Sequence, residues 1–422
     1  MRRGAGAVVV AALLLSSWSP ARGGDAGTPG KTTAAIPVGQ VVLRTKDPWL
    51  RWLALGGDTL YFVQDESVRY ADDQFKGDGI FGVAVNGPAA GSARRFVAAD
   101  LPDHDAWARM LAAQEEREKL GAPPEPAREE GEVVTITGDS PDRFWVFSAG
   151  GRLYWKEYGD LKAMTLPAGP VETIGRSDGY AVLADKVVWM QGRALWRRPA
   201  AGGEARVLLR AVRGVFTREG EDALVIAQAD GKRTRLIDYQ ARTDATRTIG
   251  SVPFAATPVA VDDGHVYLDA GRRLVSYETA TATTTELARV PGKLRSAVLV
   301  GAFIVWEARD GRKLWRRRVD GGDQPTVIAE SFNIDVVCGG QVFQGDAHGE
   351  IRALDVARGT TSIIARSPDE NPVRYLFRAP HDLFWQTNGT IYRVPFECEG
   401  RNPLPPRGMA PSNAGWMIVK EL

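Results

Sequence analysis

The sequence predicts an all-β fold assembled from repeated antiparallel sheets, on three observations. A short apolar strand with an aromatic near its end recurs along most of the chain. Each recurrence is followed by turn residues and a further alternating strand. Helical periodicity is missing from the whole repeating stretch. The recurring strands are Thr59-Leu60-Tyr61-Phe62, Arg152-Leu153-Tyr154-Trp155, Lys186-Val187-Val188-Trp189 and Ala223-Leu224-Val225-Ile226. They continue with His265-Val266-Tyr267-Leu268, Phe303-Ile304-Val305-Trp306, Gly340-Gln341-Val342-Phe343 and Asp382-Leu383-Phe384-Trp385. The intervals between their last residues are 93, 34, 37, 42, 38, 37 and 42. The first is long because it holds an insertion.

Each unit carries three further strands. An apolar one precedes, such as residues 180–184, 297–300 or 334–338. An alternating one follows, such as 193–198, 273–277, 312–319 or 351–356. A weaker fourth closes the unit, such as 206–209, 326–329 or 362–365. Gly202-Gly203, Asp310-Gly311, Gly321-Gly322 and Asn388-Gly389 supply hairpin turns. Four antiparallel strands per unit of about forty residues is the pattern of a β-propeller blade. Eight units fit between Val41 and Glu397, with seven as the alternative count. The eighth unit stops after its third strand, near Val394. Val41-Val42-Leu43-Arg44 resembles the fourth strands elsewhere and is expected to complete it. Trp416 to Val419 is the competing candidate.

The units resemble two propeller repeat families. Tyr154-Trp155 and Phe384-Trp385 are similar to the YWTD-type repeat, although Lys156 and Gln386 stand where its Asp would be. Residues 307–315, Glu-Ala-Arg-Asp-Gly-Arg-Lys-Leu-Trp, resemble the quinoprotein-type repeat, with a fainter copy at 353–359. Eight-bladed members of that family include an outer-membrane assembly lipoprotein. The resemblance implies the fold and leaves the activity open, because propellers host many functions.

The N-terminus reads as a secretory signal over residues 1–23. Arg2 and Arg3 precede an apolar run from Ala5 to Leu15, and Ala21-Arg22-Gly23 offers small residues for cleavage. An uncleaved anchor is the alternative. Residues 24–40 read as a flexible leader and 41–422 as one propeller domain. A tail covers 399–422. No membrane span is expected in the mature chain, which is placed as secreted or periplasmic.

Charge and chemistry exclude more than they suggest. Lys+Arg total 53 and Asp+Glu 52, a balance unlike that of a nucleic-acid binder. Four His and two Cys leave little for a metal centre, and no cofactor or catalytic motif is recognised. Trp155, Trp189, Trp306 and Trp385 recur at one position and are expected to pack between blades. Arg197, Arg198 and Arg316 to Arg318 are expected on solvated strand edges. Cys338 and Cys398 are expected to form a disulfide, since both follow strands running to the same face of neighbouring blades.

Two enlargements interrupt the first unit. One is the loop Gln64 to Gly79, with Tyr70, Asp72 and Asp73. The other is an insertion at 99–132, expected to hold a helix whose Trp107, Met110 and Leu111 share one face. Alternating strand direction places both on one face of the ring, as a lid or docking element. The alternative is a helix packed on its own blade. The expected function is non-catalytic: a monomeric binding or scaffold module for a protein or envelope polymer. An enzyme or small-ligand sensor in the central funnel, of lyase, lactonase or cyclase type, is the runner-up.

Overall fold

The computed structural model describes residues 36–44, 50–56, 58–64, 79–86, 93–98, 147–157, 159–217, 222–262, 264–308, 313–379, 381–397 and 417–419. The expected signal segment, most of the expected leader, the loop residues Tyr70, Asp72 and Asp73, the insertion expected to be helical with Trp107, Met110 and Leu111, and Cys398 lie outside them.

Eight antiparallel blades of four strands follow one another along the chain, and one of the eight sheets carries a fifth strand. Blades 1 to 7 span residues 50–98, 147–176, 179–210, 212–252, 257–289, 294–330 and 336–366. Blade 8 takes three strands from 375–395 and its fourth from Gln40–Arg44. The N-terminal strand therefore closes the ring, as the sequence suggests. Pairing starts earlier than Val41: Arg366 of blade 7 donates its N–H to the Pro37 carbonyl and accepts from Gly39 N–H, each at 3.1 Å. Among the described residues there is no helix.

Polarity grades outward within each blade. In blade 4 the second strand, Ala223–Asp230, is buried over its first five residues, while the fourth, Ala245–Val252, is mostly exposed. A second strand has sheet on both sides and a blade on each face, so it reads as an unbroken apolar run. The outer strand is Thr- and Arg-rich and presents an edge that charge protects from pairing.

One irregularity repeats in all eight blades. The ladder between third and fourth strands shifts by one residue at the same register, a β-bulge. The skipped residue is always apolar: Phe96, Ile174, Leu208, Ile249, Leu287, Ile328, Ile364 and, in the closing strand, Val42. Ile174, Leu208, Ile249, Leu287, Ile328, Ile364 and Val42 each join an apolar cluster shared with the following blade. The core of this protein thus sits between its blades. Trp155, Trp189, Trp306 and Trp385 are at most 1% exposed, and Trp189, Trp306 and Trp385 fill clusters shared with the preceding blade.

Candidate functional site at the upper channel mouth

First and third strands run one way, second and fourth the other. The turns between second and third strands and the blade-to-blade connections therefore share one face, here called upper. The remaining turns form the lower face.

The lower face is held by arginines. Arg198, 5% exposed, makes a bidentate contact to Glu172 of blade 2, with both N···O distances 2.8 Å. Arg152 adds a bond of 2.7 Å to the same carboxylate. These hydrogen bonds hold the Glu172 carboxyl down at about 2, against the pull of burial. Arg197 pairs instead with Asp244 of blade 4. Arg316 donates to the Val356 carbonyl of blade 7, Arg317 to the Leu287 carbonyl of blade 5, and Arg318 to Asp320 in its own turn. Arg393 reaches the Val85 carbonyl and Asn86 Oδ1 of blade 1, each at 3.1 Å. The expectation of solvated strand edges is corrected for four of these residues. Neighbours alternate in direction along the strand, so Arg197 and Arg316 reach the next blade while Arg198 and Arg317 reach the previous one. Arg197, Arg316 and Arg393 share one register, each opposite the residue before the aromatic. The sequence carried that signal as an Arg in the third strand of three units.

Charges of both signs stand at the upper mouth. The residue after the recurring four-residue strand is Lys156 in blade 2, Asp269 in blade 5, Glu307 in blade 6, Gln344 in blade 7 and Gln386 in blade 8. Each stands near the upper end of its second strand. Lys156, Glu307 and Gln386 are buried. Arg295 Nη1 donates to Glu307 Oε1 at 2.7 Å and lies 3.5 Å from Asn333 Oδ1. Beside them, Asp335 Oδ2 accepts the Gly345 N–H at 3.1 Å. Burial lifts the Asp335 carboxyl to about 6; the Gly345 N–H and Arg295 oppose that rise and the Glu307 charge adds to it. Asp269, which accepts the Gly271 N–H at 2.8 Å, is likewise pushed up to about 6 by burial. Sequence reading missed Arg295, Glu307 and Asp335 as a group. Their junction comes from two blades, and nothing in the spacing joins residues forty apart.

Cys338 ends the first strand of blade 7, Val336–Cys338, at the lower face and is buried.

No family model matches the chain, and no curated protein matches it. Among solved structures it is similar to the computationally designed Ika8 protein, at 11% identity and a TM-score of 0.50, over 85% of this chain and all of that one. It is also similar to BamB from Moraxella catarrhalis, at 17% identity and a TM-score of 0.41, over 60% of this chain and 83% of that one. A streptogramin B lyase matches at 9% identity and 0.39, over 60% and 93%. At these identities the likeness shows a β-propeller fold and nothing further.

Proposed function

We propose that this is an exported, non-catalytic propeller that recognises a protein or envelope polymer across its upper channel mouth. The observation that carries the reading is the mixed charge there: Asp269 and Asp335 each fixed by a backbone N–H, and the half-exposed Arg295 fixed by the buried Glu307 carboxylate. Groups already held in place present a rigid pattern to a partner, and recognition by a rigid pattern avoids an ordering cost on binding. On this reading Tyr70, Asp72 and Asp73 in one loop, with Trp107, Met110 and Leu111 in the insertion, would extend that surface. Replacing residues 102–130 by a short Gly/Ser bridge is the test. Partners captured from the exported fraction by the full protein should be lost with the folded variant. Unchanged capture would sink the reading.

Export rests on the Arg2–Leu15 pattern and agrees with a disulfide between Cys338 and Cys398. Cys338 is buried at the lower face, and the chain has one other cysteine. The bridge would close a loop of about sixty residues and contribute about 4 kcal/mol in the chain-entropy model. Thiol titration of the denatured exported protein should find no free groups before reduction, and reduction should lower its stability. Two titratable thiols would refute the pairing.

One observation favours a second reading. Arg295, Glu307 and Asp335 converge at one junction, and Asp335 is poised to exchange a proton near pH 6. A small polar ligand seated there would suit a funnel enzyme or sensor. On that reading Asp335→Asn abolishes ligand-induced thermal stabilisation while the fold persists. If small-molecule extracts stabilise parent and variant equally, this second reading is wrong.

A further inference from the structure

The C-terminal strand lies elsewhere than at the ring closure. Met417–Val419 pairs antiparallel with Val212–Thr217, the first strand of blade 4, through Gly214–Val419, Val215–Ile418 and Phe216–Met417. First strands are the inner edges of the blades, so this fifth strand stands on the channel side of blade 4. It also lies against Thr257–Val261, the first strand of blade 5. Among the described residues no other blade carries a strand there. Val212–Thr217 runs from upper to lower face, so its antiparallel partner runs from the lower face toward the upper mouth.

Three features make this edge a receptor for a strand. Its blade is the longest of the ring, with eight residues in each of its three outer strands, and so forms an extended platform. Gly214 packs closely on the next blade: a Cβ there would lie 3.1 Å from the Thr257 side chain. The edge is thus braced from behind while its channel side takes another chain. The resident ladder has three residue pairs, whereas strands usually run about five or six residues. A ladder so short is weak, and its strand is held by tethering to the chain through residues 398–416 as much as by its contacts.

We propose that the inner edge of blade 4 is a strand-addition site for an extended apolar polypeptide segment, and that the chain's own C-terminal strand is its tethered, displaceable occupant. Main-chain pairing supplies affinity in such sites, and alternate side chains supply selectivity. The segment it fits resembles Met417-Ile418-Val419: three apolar residues in extended conformation, entering from the lower face. The site is separate from the upper-mouth charges, so the loop deletion above does not bear on it.

The test uses a fluorescent peptide of residues 413–422 as probe. Two variants free the edge: deletion of 413–422, and Ile418→Pro, which removes a ladder N–H without shortening the chain. Both should bind the probe at least about tenfold more tightly than the full chain, where the tethered strand competes at high effective concentration. Amide exchange at Val215, which faces Ile418, should quicken on deletion and slow again with the probe. A probe carrying the same proline should not bind. The proposal fails if the natively folded deletion variant ignores the probe, or if the proline probe binds equally well. It fails too if the Val215 amide in the full chain is protected only at concentrations where it dimerises, since the strand would then come from a second copy.

Discussion

Three consecutive arginines in blade 6 leave in three directions, to blade 7, to blade 5 and to a local turn. Period-2 alternation made the opposite directions legible in the sequence. It could not reveal that carbonyls wait on both sides, because acceptors contributed by backbone have no sequence signature. The junction of Arg295, Glu307 and Asp335 was hidden for a different reason, since its side chains come from two blades and no spacing in the sequence joins them. Glu172 shows what such a tie is worth. It accepts from Arg152 and Arg198, and its carboxyl is held at about 2 against an ordinary 4.5. A depressed carboxyl stabilises the fold fully above its unfolded value and loses that contribution as pH falls through its folded one. Glu172→Gln is therefore expected to cost about 1–2 kcal/mol at pH 7, a figure reduced because the carboxylate is 39% exposed. The difference from the parent should shrink from pH 4.5 downward and nearly vanish near pH 2. Urea unfolding across that range measures it, and a constant difference would show that the arginines act by packing alone.

The elements repeat more strictly than their sequences do. Strand identity, order and the aromatic register were legible because an apolar run between turn residues is a local signal. The bulge between third and fourth strands was not, because an extra residue is visible only against a paired partner. Once paired, the pattern is plain: eight bulges, each at an apolar residue, seven of them packed into the junction with the next blade. The bulge bends the outer strand and turns one side chain inward. Leu287 is the most deeply placed of them, 1% exposed. Leu287→Ala should cost about 2–4 kcal/mol as a cavity. Deleting Leu287 outright should cost more, although it leaves a regular ladder. The deletion removes the side chain and also the bend that turns the outer strand toward the next blade. Chemical denaturation of the two variants orders them. A deletion milder than the alanine variant would mean that the bulge is filler rather than a device for joining blades.

Across the whole molecule, stability is a property of junctions, and the ring has one junction made by residues distant in sequence. Gln40–Arg44 supplies the outer strand of blade 8 and repeats the bulge of the other seven, with Val42 as the skipped residue. Leu43 and Val42 then join the cluster shared with blade 1, and Arg393 spans the same junction on the lower face. Gly39 passes so near Trp385 that an added Cβ would lie 2.4 Å from its ring. The two chain ends thus have different tasks, although the sequence offered both for the same one. The N-terminal strand is part of a blade, while Met417–Val419 lies on an already complete sheet. Removing residues 36–44 should expose the edge of Thr390–Pro395 and lose Leu43, whose burial alone is worth about 2–5 kcal/mol. A lowered Tm and association through the open edge should follow. Removing residues 413–422 should leave the Tm within a few degrees, because no blade loses a strand of its own four. Scanning calorimetry with light scattering on the two truncations compares them directly. Equal losses would place the C-terminal strand among the structural members of the ring and would leave no displaceable occupant in the channel.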